Sequence, residues 1–120
     1  MTATAKLRYL RTSPQKVRLV TDLIRGLPVD EAMTTLKLTN KRAAPKIAKL
    51  LQSAVANAEE AGDVDVDELK VSEIFVDEGP RLKRLRPAPM GRAYRYFHRL
   101  AHVTLRVSDG QPDEIDENEE

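Results

Sequence analysis

The sequence predicts an α+β fold in which three helices pack on a small antiparallel sheet and a long β-hairpin protrudes. Three observations predict it. Residues 14–61 carry apolar stripes of helical period, punctuated by glycine, proline and polar caps. Residues 69–77 and 92–107 read as strands. Residues 79–108 hold eight basic side chains and no carboxylate, in a stretch too extended to fold back into so small a body. The length of 120 residues allows one domain and little more.

Residues 3–11 are too short for a helix and run into a helix start, so they read as an edge strand. Ser13-Pro14 then places an N-cap before a proline at the first helical position, where its missing N–H costs nothing. Val17, Val20 and Ile24, with Leu19 and Leu23, form the apolar stripe of this helix, and Gly26 stops it. A short helix over about 30–37 follows Pro28. Asn40 is expected to cap a longer helix over about 41–61, with Ala43, Ile47, Leu50, Leu51, Ala54, Val55 and Ala58 on its core face. In that span Pro45 falls in the second turn and forfeits a ladder hydrogen bond.

The charges of this long helix run against its dipole. Lys41, Arg42, Lys46 and Lys49 crowd the N-terminal half, and Glu59 and Glu60 sit at the other end. The macrodipole prefers the reverse by about 0.3–1 kcal/mol per well-placed group. An external anion explains the arrangement better than helix stability does, because Arg42, Lys46 and Lys49 share one face.

In the last strand, odd positions run Arg95, Phe97, Arg99, Ala101, Val103, Leu105, Val107. One face is therefore apolar from 101 onward and cationic before it, so the strand leaves the core near residue 100. Sixteen residues at about 3.4 Å each span roughly 54 Å, against a radius of gyration of about 13 Å for a compact 100-residue domain. Pro80, Pro87 and Pro89 lack ladder donors, so pairing is expected to lapse past Arg81 and leave a proline-stiffened tip over 82–91, reclosed at Gly91.

The net charge of +1 conceals fields of single sign. Residues 1–58 hold 11 basic and three acidic groups; residues 59–78 hold nine acids and one lysine; residues 109–120 hold seven acids and no base. The last twelve residues bury too little to offset ordering entropy and are expected to be a disordered acidic tail beyond a single domain over 1–108. No acid precedes Asp22, but this N-terminal stretch reads directly into a well-started helix and so belongs to the domain. No apolar run approaches the roughly 18 residues of a membrane span, and a soluble, cytoplasmic protein is expected.

Several chemistries are excluded. With no cysteine there is no disulfide framework, thiolate metal site or cysteine nucleophile. His98 and His102 share a strand face but lack a third ligand, and read as structural or nucleic-acid-facing. Asp63-Val-Asp65-Val-Asp67 opens like a calcium loop and fails at Glu68, where glycine is needed, and at Ile74, where the bidentate glutamate belongs. The five glycines are dispersed, so no phosphate-cradling loop forms, and no serine pairs with a base in a recognisable order. No enzyme, cofactor or metal is expected. The hairpin reads instead as a nucleic-acid probe: its arginines offer phosphate contacts, and Tyr94, Tyr96 and Phe97 among Arg92, Arg95 and Arg99 offer stacking surfaces.

Four blocks in order carry a resemblance: Ala5-Lys-Leu-Arg-Tyr-Leu-Arg-Thr-Ser-Pro-Gln-Lys-Val-Arg-Leu-Val through Leu23-Ile-Arg-Gly26; Ser53-Ala-Val-Ala-Asn-Ala-Glu59; Phe75-Val-Asp-Glu-Gly-Pro80; and Gly91-Arg-Ala93 with His102-Val103. Over about residues 5–108 the chain resembles the bacterial large-subunit ribosomal protein twenty-two family. The resemblance implies an α+β domain on the outer surface of the large subunit, with a hairpin over about 78–100 reaching inward to the nascent-peptide tunnel near the macrolide site. It implies binding to 23S-type rRNA, a part in early assembly, neighbouring large-subunit proteins and the nascent peptide as partners, a monomer within the subunit, no membrane and no catalysis.

Carried over, Arg8, Arg11, Lys16, Arg18 and Arg25 would contact rRNA from the globular domain, beside Lys41, Arg42, Lys46 and Lys49 from the helix reading. Arg81, Lys83, Arg84, Arg92, Arg95 and Arg99 would do so from the hairpin. Leu82, Leu85, Pro87, Ala88, Pro89 and Met90 would belong to the tunnel-lining tip. The chain departs from the family pattern at Pro87-Ala88-Pro89, where Pro-Arg-Ala is common; Arg86 stands in for the missing tip arginine. His98 replaces a usual lysine or arginine, and the acidic tail is an extension. Two other readings stay open on the residues: an architectural DNA-binding protein with a proline-tipped β-ribbon, and an enzyme regulator acting through the tail.

Overall fold

The computed structural model describes residues 2–62, 65–87 and 89–110, with backbone only for Tyr94, Arg95 and Tyr96. Strand β1 (Thr2–Leu10) leads into helices α1 (Pro14–Ile24), α2 (Val29–Leu38) and α3 (Ala44–Ala61), and these into β2 (Lys70–Pro87) and β3 (Ala93–Ser108). The sheet order is β1-β3-β2, antiparallel throughout, so β3 is central and β1 is the edge strand its composition predicts. The α+β class and the protruding hairpin are as the sequence implies.

The core is one cluster between sheet and helices. Val17, Val20 and Ile24 of α1, Ile47, Leu51 and Ala54 of α3, and Val71, Val103, Leu105 and Val107 of the sheet are all fully buried. The stripe of α1 is narrower than its sequence implies. Leu19 and Leu23 face solvent, and Thr21 takes a buried place, its hydroxyl donating to the Arg18 carbonyl at 3.3 Å. Ser13 stands at the N-cap of α1 without a side-chain bond; its carbonyl accepts from Lys16 and Val17 instead.

Two expectations need correction. Helix α3 starts at Ala44, three residues later than expected, with Ala43 rather than Asn40 at the N-cap. Pro45 therefore lies in the first turn, where no ladder hydrogen bond is forfeited, and Lys41 and Arg42 precede the helix. Nor does pairing lapse past Arg81: the β2–β3 ladder continues from Arg81↔Arg99 to Pro87↔Ala93. Pro80 sits in a register shift between Glu78 and Arg81, where the ladder makes no demand on its missing N–H, and Pro87 ends the ladder. The turn is accordingly shorter than 82–91, built around Pro89–Gly91 with Met90 at φ 65° and Gly91 at φ 71°. Ala88, Asp63 and Val64 lie outside the described residues, as do residues 111–120, where most of the expected tail falls.

Strand β1 pairs with β3 only between Thr2↔Ser108 and Leu10↔Ala101. Beyond that point β2 and β3 continue as a bare two-stranded arm; past buried Leu100 and half-buried Gly79 its described side chains are exposed save for half-buried Leu82. The radius of gyration is 18.0 Å and the extents are 65 × 38 × 20 Å, against about 13–14 Å expected for a compact chain of this length. The arm emerges at Gly79, where a Cβ would stand 3.1 Å from the Leu100 carbonyl oxygen. Close backbone approach explains glycine there.

Candidate nucleic-acid interface

Three stretches that are distant in sequence meet where the arm leaves the body. The end of β1, the turn after it and the start of α1 bring Arg8, Arg11, Thr12 and Lys16. Because α3 packs on β1, its N-terminal end and the residues just before it bring Lys46, Lys41 and Arg42 to the same side. The root of the arm contributes Leu82, Arg84, Phe97, His98 and Arg99. Two adjoining cavities result. One, of about 650 Å³, is lined by Leu7, Arg8, Tyr9, Leu10, Arg11, Thr12, Arg42, Lys46, Leu82, Arg84, His98 and Arg99. The other, of about 570 Å³, is lined by Arg11, Thr12, Ser13, Lys16, Leu19, Lys41, Arg42, Ala43, Phe97, His98 and Arg99.

Together the two cavities gather eight cations, Arg8, Arg11, Lys16, Lys41, Arg42, Lys46, Arg84 and Arg99, and among the described residues no carboxylate lines either. Such a concave, single-sign surface focuses the field on an approaching anion. The first turn of α3, which holds no acid, adds the positive end of the helix dipole to the same side. The ion pairs Arg25–Asp22 and Arg106–Glu73 lie away from it, the second across the β2–β3 ladder with the Arg106 guanidinium 5.7 Å from the Phe75 ring centre. Arg106 is thus tied into the body rather than belonging to the arm.

The remaining residues singled out by sequence are spread more widely. Lys49 is exposed on α3 outside both cavities, although it shares a helix face with Arg42 and Lys46 in the sequence pattern. Arg18 and Arg25 lie on the opposite edge of the sheet. Arg18 Nη2 donates to the Val76 carbonyl at 3.0 Å and Arg25 Nη2 to the Ile74 carbonyl at 2.8 Å. Along the arm Arg81, Lys83, Arg86 and Arg92 are exposed, and Arg84 donates to the Lys83 carbonyl. The Arg95 backbone pairs with Leu85; its side chain, like those of Tyr94 and Tyr96, is outside the described residues. At the far end Leu85 is exposed within the ladder, Pro89 and Met90 form the turn, and the Met90 side chain is 94% exposed.

His102 has a structural place. Its Nδ1 accepts from the Tyr9 N–H at 3.1 Å, and the two rings meet edge to face, 4.9 Å apart at 88°. This holds the irregularity of β1 between Leu7 and Leu10, where Tyr9 takes φ 59°. His98, four residues earlier, lines both cavities. Among the described residues no three His, Asp or Glu side chains gather as a metal site would require, and no helix is long and apolar enough to cross a membrane. Sequence reasoning missed Tyr9, Thr12 and Leu19 as parts of this face. The backbone irregularity at Tyr9 leaves no composition signal, and Leu19 sits in a credible core stripe.

A small α+β body bearing a cationic two-stranded arm, with a cation-lined hollow at its root, is the class that fold and surface define. The family model described as "Ribosomal protein L22p/L17e" matches residues 5–108, and the chain belongs to that family. It is 59% identical over 110 residues to the "Large ribosomal subunit protein uL22" of Solibacter usitatus (strain Ellin6076), covering 91% of this chain and 97% of that relative.

Proposed function

We propose that this ribosomal protein is a structural constituent of the large subunit in the cytoplasm, binding 23S-type rRNA through the hollow at the arm's root and through the arm itself. The convergence of eight cations from three chain segments on a surface where no described residue brings a carboxylate carries this reading. Recognition rests on phosphates and on RNA shape rather than on a base code. The arm, too thin to bury a core of its own, is enclosed by RNA in the assembled particle. Its turn, with Pro87, Pro89 and Met90 at the end and Leu82 and Leu85 behind, reaches the nascent-peptide tunnel. Early binding by a protein that bridges separate RNA segments supports assembly, and no catalytic step is assigned to any residue.

Co-sedimentation tests this. The protein is expected to travel with large subunits and to come off only at high salt. Free migration, or preference for duplex DNA over rRNA, contradicts it.

A further inference from the structure

The smaller of the two cavities combines features that plain phosphate binding does not require. Phe97 and Leu19 both line it, yet they are 52% and 57% exposed. Phe97 comes from β3 and Leu19 from α1, so two separate elements present apolar surface to one hollow. Phe97 and Arg99, two residues apart, share a strand face and line the same cavity. The remaining walls include Arg11, Lys16, Lys41 and Arg42.

An aromatic ring beside guanidinium groups offers a π surface on which any base can stack, while cations at the rim take the phosphate. The volume of about 570 Å³ falls within the roughly 300–1,000 Å³ range of small-ligand sites. That volume is on the scale of a single nucleotide rather than of a duplex. An acidic peptide would meet the cations equally well but would make less use of an open ring face.

We infer that this cavity is a subsite for one unpaired nucleotide of the bound RNA, its base laid on Phe97 beside Leu19 and its phosphate held by Arg11, Lys16 and Arg42. The inference rests on the rRNA-binding reading above and adds to it a base-stacking contact at the root of the arm.

The test uses the full chain, a large-subunit rRNA transcript and filter binding over a series of salt concentrations. Phe97→Ala and Phe97→Leu are expected to weaken binding by about 5- to 150-fold, the range for one lost base–aromatic stack, at every salt. The slope against salt should stay unchanged, because no phosphate contact is removed. Phe97→Trp restores affinity. Chemical probing at nucleotide resolution should show one unpaired base protected by the parent chain and by Phe97→Trp, and reactive with Phe97→Leu. Phe97→Leu keeps the apolar volume, so it serves where Phe97→Ala fails to fold.

Parental affinity in Phe97→Leu, or a loss that Phe97→Trp does not restore, overturns the subsite while leaving rRNA binding intact. Failure of the parent chain to bind rRNA overturns the functional reading itself.

Discussion

Arg18 Nη2 donates to the backbone carbonyl of Val76 at 3.0 Å, from helix α1 to the outer edge of β2. Arg25 does the same for Ile74. Nearer the start of β2, Val29 N–H donates to the Leu69 carbonyl, Gly26 N–H to the Val71 carbonyl, and Val71 N–H to the Leu27 carbonyl. Helix α1 and residues 25–29 after it therefore bond the Leu69, Val71, Ile74 and Val76 carbonyls and the Val71 N–H along this edge. An uncovered edge strand is a template for pairing with another chain, and two guanidinium groups help to close this one.

Replacing both arginines, Arg18→Met with Arg25→Met, keeps their aliphatic stems and removes the donors. The loss should be about 1–2 kcal/mol for the pair after allowing for solvent exposure, or a melting temperature lower by roughly 4–8 °C per kcal/mol. The affinity for rRNA should change far less than with Arg42→Glu. Thermal denaturation and filter binding on the same preparations check both statements. A large affinity loss with unchanged stability would reverse the assignment.

The Tyr9–His102 pair gives a second expectation. His102→Phe keeps a ring against Tyr9 and removes the acceptor for its N–H, while Tyr9 stays at φ 59°. Destabilisation of about 1 kcal/mol is expected, visible as a shifted denaturant midpoint with an unchanged slope. An unchanged midpoint would mean that the ring contact alone holds the β1 irregularity.

Gly79 sets where the arm departs. In Gly79→Ala the new Cβ would meet the Leu100 carbonyl oxygen at 3.1 Å and the Leu100 Cβ at 3.2 Å, tighter than ordinary contact. The cost should be about 1–2 kcal/mol, and Gly79→Val should cost more. Hydrogen exchange should quicken at Arg81 and Arg99, the first ladder pair beyond the shift. Equal protection in variant and parent would contradict the reading of Gly79 as a point of close approach.

Much of this architecture was legible in the sequence because its signals are local. Ser13-Pro14 marks the start of α1, the apolar positions expected on the core face of α3 are buried save half-buried Val55, and the switch from Arg99 to Ala101 marks where β3 enters the core. The continuation of the ladder to Pro87 was not legible. A proline forbids pairing only where the ladder needs its N–H, and the register shift that frees Pro80 depends on the partner strand. The hollow was half legible: composition separates cationic segments from acidic ones, but only tertiary packing brings Arg11, Arg42 and Arg99 to one surface. For the same reason the sequence could not show that Arg18 and Arg25 also bond carbonyls along the β2 edge.

The most direct test of the account is the salt dependence of rRNA binding by the parent chain and by the variant Arg42→Glu, Lys46→Glu, Arg99→Glu. If the hollow and arm engage about six to ten phosphates, parental affinity should fall by about 10³–10⁵ between 50 and 200 mM salt. The variant's log–log slope should be shallower by about three, one for each phosphate contact removed. Lys49→Glu, outside the cavities, should change it by well under one. A parental affinity indifferent to salt, or equal slopes for parent and triple variant, would contradict a cationic surface built to hold a polyanion.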